Sequence, residues 1–504
     1  MRPFRGPETL SAVISHRREL GLLAIAAMVM PVIEWAWMAD HGNFNDFHDY
    51  WLAGKLVLAG RSPYDVQALR ELARAEHLSF LVGGGYSYPL PFAIFMVPFA
   101  LLPFSVSLAV FQGLSIVLFA STVAVWIGWA HGWTPNLARR RLLLALAAGF
   151  YPPIFGTVAS GQANLMLFPL LAGGVALTIS GTAPRRQAIG GVMLGLAAIV
   201  KLVPGILVVP LVIGRRWGGA VGTALGALGA LVVATLLAPW AAQGSGGLTS
   251  LLEPDSYFTN QSINGFVTRL VNHSDRTVPL FPHAFDPRLP MLLLTALFGL
   301  VTLAILWRAR GSLTERRGLA LGLALALVAG VIGAPKNSFW NQAFALIAVG
   351  LMLAVDAVDL RIRSLGRADL ILLSVWLGGA FLWTLLWMFP PSKTGALPAL
   401  VTLAESSSLY GMLALWLVLA RRLAMPFAAT EVADVAPPVA GMGVAPAPLR
   451  GSPNLRFSNA SSRKCLSRSL RPASRPGPRR SERGIGGNGF VRPPGRAALG
   501  PDSA

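Results

Sequence analysis

The sequence predicts an all-α polytopic membrane protein, and three observations carry that prediction. Hydrophobic residues make up 54% of the 504 and charged residues 13%, about half the charged share of a soluble domain. The apolar residues fall into long runs, many near the ~20 residues that cross a bilayer as one helix. Lys and Arg gather in the short segments between runs, as the positive-inside rule requires. Together these exclude an ordinary soluble enzyme and any fibrous or disordered class.

The first run, Leu20–Met38, follows Arg2, Arg5, Arg17 and Arg18. It has no small-residue cleavage site and is too long for a signal-peptide core, so it reads as a signal anchor behind a cytoplasmic N-terminus, residues 1–19. Further spans are expected at Ser105–Ala130, Leu142–Ala159, Leu165–Ile179, Ile189–Ile213, Ala220–Pro239, Leu289–Trp307, Leu319–Ile332, Trp340–Val355, Leu370–Met388 and Leu397–Ala420. Pro89–Pro103 is a shorter run broken by proline. The body, residues 20–425, therefore holds about 11 or 12 spans by the length rule.

Basic loops at Arg215–Arg216, Arg308–Arg317, Arg361–Arg367 and Arg421–Arg422 place both termini in the cytoplasm. The long segments 39–88 and 240–288 then face the other side, together with the turns at 334–339 and 390–398. Two loops stay open. Arg139–Arg141 lies outside if Pro89–Pro103 crosses fully and inside if it does not. Arg185–Arg186 lies outside if Ile189–Ile213 crosses once, and inside if that run is a hairpin of two half-helices broken at Lys201-Leu-Val-Pro204.

The net charge is +20, and from Arg450 onward 12 Lys/Arg face only Glu482 and Asp502. Half of the excess thus lies from Arg450 onward, within a tail, 426–504, whose Pro, Gly, Ser, Ala and Arg composition predicts disorder. The basic balance is no nucleic-acid footprint of the folded part. Its arginines are either a plain cytoplasmic extension or a contact for anionic lipid heads. The single cysteine, Cys465, excludes an intrachain disulfide and a Cys-based metal centre. There is no Walker loop, no Gly-x-Ser-x-Gly elbow and no His/Cys/carboxylate cluster with metal spacing, so neither a metal nor a cofactor is expected.

Polar residues stranded in an apolar body are the informative ones, because burying them is expensive. In the first external segment, Tyr50–Leu58 and Val66–Leu78 read as interfacial helices, with Tyr50 and Trp51 suited to the headgroup layer. Asp46 lies just outside the first span, where a base would meet a lipid-borne substrate. Asp49 fits the cap of the Tyr50 helix better, since a cap sits immediately before its helix. Tyr86-Ser-Tyr-Pro-Leu-Pro91 suggests a shaped, proline-rich entry. Gln162 and Asn164, between two apolar runs, either cap a helix or line a cavity. Lys201, apolar on both sides, calls for an anionic partner such as a phosphate, or snorkels to the surface. Asn260, Gln261 and Arg269 form a second external polar cluster suited to a phosphate or sugar. Lys336 and Trp340 lie in a polar, aromatic elbow on the same side.

The order of these motifs resembles glycosyltransferase family 87 of the GT-C superfamily. The matching elements are Asp46-Phe47…Tyr50…Ala53-Gly54…Gly60…Pro63-Tyr64, then Tyr88-Pro89 with Pro98 and Leu102-Pro103. Gly161-Gln-x-Asn164, Gly195…Lys201-x-x-Pro204 and Asn260-Gln-Ser…Arg269 follow. The likeness covers residues 20 to about 420. It departs at Asn341-Gln342, where members often carry His, and no role is carried over there. The resemblance implies a GT-C-like bundle in the inner (plasma) membrane with its site on the external, periplasmic face. It implies transfer of a hexose, mannose first, or a pentose from a polyprenyl-phosphate carrier to an envelope glycan or glycolipid, with inversion. Asp46 would be the base, with Asp49 as the alternative. Lys201, Arg269, Tyr50, Gln162, Asn164, Asn260, Gln261 and Lys336 would bind substrate or phosphate. The partners would be the lipid-linked donor, the acceptor and the bilayer, with no nucleic acid. A lipid-linked sugar flippase or secondary transporter shares the broken helix and buried cation. It predicts paired inverted halves, and no internal repeat is evident.

Overall fold

A computed structural model describes residues 10–41, 45–78, 86–131, 138–181, 183–242, 253–273, 276, 278–358, 366–389 and 398–425. The expectation of a disordered tail over 426–504, and that for residues 1–9, lies outside the described residues. Among the described residues the chain is helical, with one isolated antiparallel bridge between Asn260 and Ser338. Six helices are long and apolar enough to cross a membrane, or seven if the bent pair Arg141–Gly149 and Pro152–Ser160 counts as one. The expected 11 or 12 spans are thus not all unbroken helices.

Helix α1 (Leu10–His41) leads to α2 (Asn45–Leu58) and α3 (Val66–Ala75). Asp65 caps α3 by accepting from Ala68 N at 3.0 Å, and Leu69 and Ala73 are buried as the amphipathic pattern predicts. Two expectations for α2 change. The helix begins at Asn45, so Asp49 is internal to it and is not its cap. Tyr50 and Trp51 are 0% and 1% exposed, packed inside protein instead of standing in a headgroup layer. Trp51 Nε1 donates to Leu102 O at 3.2 Å, which ties α2 to the proline-rich segment. That segment forms two short helices, α4 (Leu90–Phe95) and α5 (Val97–Ala100), so Pro89–Pro103 does not cross. The rings of Pro91 and Pro98 occupy first-turn positions, where a missing N–H is harmless.

Helix α6 (Phe104–His131) returns along α1, with Ala120 and Ala124 against Leu23 and Ala27. Then α7 (Ala138–Gly149) and α8 (Pro152–Ser160) climb parallel to α1, bent by 44° at their junction. Arg141 pairs with Glu19 at the lower end, and Gly149 approaches Ala27 O. Arg139–Arg141 therefore shares the face of Arg17 and Arg18.

Helix α9 (Asn164–Ser180) descends and α10 (Pro184–Val200) climbs back against it, Gly174 meeting Gly190. At Lys201 the chain leaves the helix with φ −131° and ψ 124°. A 3₁₀ turn at Val203–Leu207 and α11 (Val208–Ile213) then lead down again. The direction is fixed by neighbours. Val203 and Ile206 lie at Gly330, Pro210 at Gly322 and Gly214 at Leu313 O, along α15 (Arg316–Gly333). Arg216 donates to Gly181 O at 3.4 Å, which brings both ends of 184–213 together. This run is a hairpin whose two ends lie on one face, and Arg185–Arg186 falls on the basic face. Helix α12 (Trp217–Leu237) runs parallel to α10 at very short range. A Cβ at Gly191 or Gly195 would collide with the carbonyls of Gly219 and Thr223. Small-residue seams of this kind let membrane helices approach closely.

The rest alternates. Helices α13 (Ile263–Val271), α14 (Arg288–Arg308), α15, α16 (Ala345–Val358), α17 (Arg367–Met388), α18 (Pro398–Ala404) and α19 (Ser407–Ala424) complete the body. Arg422 binds Asp369 at 3.1 Å, so the end of α19 meets the start of α17. Leu319–Val328 of α15 forms the buried centre, while Leu289, Leu293, Leu297 and Leu300 of α14 are 58–64% exposed. An apolar exterior on long helices suits a lipid solvent.

With Pro89–Pro103 and the hairpin 184–213 each returning to the face they leave, the described basic loops share one face. In a Cys465→Ser background, single cysteines at Ala183 and Thr314 are expected to react with an impermeant thiol reagent from one side. Cysteines at Gln67 and His283 are expected to react from the other. Labelling of Ala183 together with Gln67 would mean that 184–213 crosses the membrane.

Candidate active site

The site gathers at the hairpin tip, on the face opposite the basic loops. Helix α8 closes on Gly161, whose φ of 66° and ψ of 31° are left-handed. Any side chain there would be strained. Gln162 N then bonds Thr157 O at 2.9 Å and α9 starts two residues later, so the Gln162 side chain projects from a tight elbow. The tip of the hairpin carries Lys201. Pro204 follows within the 3₁₀ turn, and the residue before a proline is biased away from a helix.

Lys201 Nζ donates to Gln162 Oε1 at 2.7 Å, to the Tyr88 hydroxyl at 3.1 Å and to Asn341 Oδ1 at 3.2 Å. An ammonium has three N–H donors, and here each has a neutral oxygen. Nζ also lies 4.9 Å from the Tyr88 ring centroid, in the range where a cation gains from a ring face. Tyr50 completes the cluster, its hydroxyl 2.9 Å from Gln162 Oε1 and 2.8 Å from the Tyr88 hydroxyl.

The carboxylate of Asp46, in the first turn of α2, faces this cation. Burial pushes its carboxyl above the ordinary value. The positive charge of Lys201 and a hydrogen bond from Gln162 pull the other way. Gln162 therefore joins the two charged groups, accepting from the lysine and donating to the aspartate. Asp49, one turn along α2, is pushed up to about 8, first by burial and then by the charge of Asp46.

Four of the residues expected from sequence thus come together: Asp46, Tyr50, Gln162 and Lys201. Asn164 lies beneath them. It makes no side-chain cap for α9; its Nδ2 donates to Trp340 O at 3.0 Å. Asn260, Gln261 and Arg269 stand outside the cluster and support it. Arg269, 0% exposed, donates to Asn260 O at 2.7 Å, to Tyr257 O at 3.2 Å and to Ser406 Oγ at 2.9 Å. Burial lowers its pKa to about 10, against the nearby charges of Glu405 and Asp255. Gln261 Nε2 donates to Phe258 O and Glu405 O. Gln261 N bonds Asn337 O at 2.8 Å, and Asn260 Oδ1 accepts from Asn337 N at 3.1 Å. Asn337 Oδ1 in turn accepts from Asn341 Nδ2 at 3.0 Å, which leaves Asn341 Oδ1 for Lys201. Lys336 is exposed beside this turn.

Sequence reasoning set aside two residues that the fold brings in, Tyr88 and Asn341. Tyr88 carried a signal, an aromatic hydroxyl just ahead of a proline-started helix. Asn341 belonged to the polar elbow, but nothing in its spacing pointed to a lysine 140 residues away.

Residues 86–335 match the profile of glycosyltransferase family 87. The chain is also 26% identical over 325 residues to a polyprenol-phosphate-mannose-dependent alpha-(1-2)-phosphatidylinositol pentamannoside mannosyltransferase of Mycolicibacterium smegmatis. That match covers 61% of this chain and 70% of the relative.

Arg269 anchors backbone that no other described side chain holds in the same way. Arg269→Ala is expected to destabilise the purified protein by about 2–4 kcal/mol, since it empties a buried volume and leaves the Asn260 carbonyl without its guanidinium donor. Lys336→Ala, at an exposed position, is expected to stay within about 0.5 kcal/mol. Thermal unfolding in one detergent compares them. Equal midpoints for the two variants would refute the supporting role of Arg269.

Proposed function

The chain belongs to glycosyltransferase family 87 and is a glycosyltransferase, and from that premise we propose that it moves a mannosyl residue from a polyprenyl-phosphate carrier to a hydroxyl of a glycan or glycolipid. One observation carries the reading. A carboxylate and an ammonium, Asp46 and Lys201, face each other across Gln162 beside an otherwise apolar body.

Each group has a task in such a reaction. The acceptor hydroxyl is a weak nucleophile until its proton is removed, and Asp46 takes that proton as general base. The acceptor oxygen bonds to the anomeric carbon while the bond from that carbon to the phosphate oxygen breaks. The polyprenyl phosphate leaves with the electron pair. Lys201 exchanges neutral oxygens for phosphate oxygens and stabilises the charge developing there. Tyr50, Tyr88, Gln162 and Asn341 hold the lysine and offer hydroxyl and amide groups to the donor. A single displacement from the face opposite the phosphate inverts the anomeric centre. The basic loops are the cytoplasmic ones by the positive-inside rule. The site then faces the exterior of the inner (plasma) membrane, and both termini lie in the cytoplasm.

The direct test incubates the purified full chain with polyprenyl-phosphate mannose, and separately with a polyprenyl-phosphate pentose, plus a membrane glycolipid extract. Release of polyprenyl phosphate from the mannose donor is expected. Asp46→Asn is expected to lower kcat by about 10²–10⁴-fold, the usual loss of a general base. Full turnover in that variant would exclude Asp46 as the base.

Acid should also inactivate the enzyme in a signed way. A base works only when ionised, and burial raises the Asp46 carboxyl. Activity is therefore expected to fall as pH drops, at a pH above the ordinary carboxylate range. Lys201 lowers that pKa, so Lys201→Met is expected to move the acid limb of kcat to higher pH and to weaken donor binding. A limb that stays in place, or moves down, would show that the two groups are not coupled.

A further inference from the structure

One part of the site has no use in the reaction as derived. The Asp49 Oδ1 atom and the Tyr86 hydroxyl are both buried without a hydrogen-bond partner. Tyr86 is only 3% exposed. Leaving such groups unpaired forfeits their hydration with nothing in return, so a structure that keeps two of them near one another calls for an explanation. They are neighbours electrostatically, the charge of Asp49 reaching the hydroxyls of both Tyr86 and Tyr88.

Their surroundings are aromatic. The Tyr86 ring lies 5.8 Å from that of Tyr64 and 5.8 Å from that of Tyr88. The Tyr64 hydroxyl is already committed, donating to Tyr88 O at 3.0 Å. Tyr88 and Tyr50 are committed to the lysine cluster. Of the four tyrosines only Tyr86 keeps a free hydroxyl, and of the two carboxyls only Asp49 lacks a cation or amide. Asp49, Tyr64 and Tyr88 each keep part of their surface open. A carboxyl and a phenol with unused hydrogen-bonding capacity, set against apolar ring faces, match the chemistry of a sugar ring. Such a ring offers vicinal hydroxyls on its edge and C–H groups on its face.

We propose that Asp49 and Tyr86, walled by Tyr64 and Tyr88, form the subsite for the acceptor's sugar ring. Asp49 lies one helical turn from Asp46, so a ring held there presents a neighbouring hydroxyl to the base. With its carboxyl pushed up to about 8, Asp49 is mostly protonated at neutral pH, and both accepts from one hydroxyl and donates to another. This assignment rests on the transferase reading for the name "acceptor", but the binding of a sugar ring stands apart from it.

The test therefore has a binding arm and a kinetic arm. Purified full-length protein in detergent is titrated with methyl α-mannopyranoside, with no donor present, and binding is followed by saturation-transfer NMR. Wild type is expected to bind, and Tyr86→Phe and Asp49→Leu to bind about tenfold more weakly. Neither variant should melt below wild type, since each removes a polar atom that had no partner. With polyprenyl-phosphate mannose as donor and octyl α-mannoside as acceptor, the same variants are expected to raise the acceptor KM about tenfold. The donor KM should stay within about twofold. No binding of the glycoside by wild type, equal binding by wild type and both variants, or a rise confined to the donor KM overturns the subsite. A wild type that binds the glycoside but consumes no polyprenyl-phosphate sugar defeats the transferase reading and leaves the sugar subsite in place.

Discussion

A lysine at the tip of an apolar hairpin is the constraint on which the site depends. An ammonium held away from water costs several kcal/mol unless its donors are met. The chain meets them with three oxygens from three separate stretches: Gln162 after α8, Tyr88 before α4 and Asn341 in the turn before α16. Each needs its own local device. Gly161 turns the elbow that aims Gln162, and Asn337 orients the amide of Asn341. The external segment fixes Asn337 through Asn260 and Gln261, and Arg269 fixes Asn260. The polar residues of residues 253–273 thus act on the site without standing in it.

The hairpin itself is a packing problem solved by glycine. A chain that turns back inside the bundle must fit two descending or climbing segments where one helix would otherwise pass. Gly190 against α9, Gly191 and Gly195 against α12, and Gly322 and Gly330 against the descending arm supply the space. The break comes at Lys201 because α10 cannot continue into Pro204. The cation is therefore placed by a helix terminus, a position fixed in the bundle, and not by a loop.

Much of this was legible in the sequence, and the limits have physical causes. Hydropathy located the body, and proline left both segments that return to their own face ambiguous. What decided them was contact between distant residues, Arg216 with Gly181 and Arg141 with Glu19, which periodicity does not encode. Asp46, Tyr50, Gln162 and Lys201 were visible because polar residues stand out against apolar runs. The same contrast hid the division of labour at Arg269, which is as conspicuous in the sequence as Lys201. Polarity shows that a group needs partners. It does not show whether those partners are backbone carbonyls, as for Arg269, or exchangeable side-chain oxygens, as for Lys201. The misreading of Tyr50 and Trp51 has a related cause, since an aromatic residue near a membrane end suits the headgroup layer and a protein core equally well.

The choice of neutral oxygens around Lys201 bears on how the charge is used. Had carboxylates filled those positions, the ammonium would be neutralised before any substrate arrived, and a phosphate would meet repulsion as well as attraction. Two amides and a phenol satisfy the hydrogen-bonding demand and leave the charge in place. One carboxylate, Asp46, remains within reach, and in the proposed reaction it acts on the acceptor side. Asp49, the second carboxyl on the same face of α2, is held above the neutral range by burial and by Asp46, so it adds little negative charge beside the cation. The two aspartates differ in environment: burial raises both carboxyls, but Asp46 has the charge of Lys201 and a hydrogen bond from Gln162 pulling the other way, and Asp49 has the charge of Asp46 adding to its burial. In the proposed mechanism that difference would separate base from hydroxyl-binding group on a single helical turn.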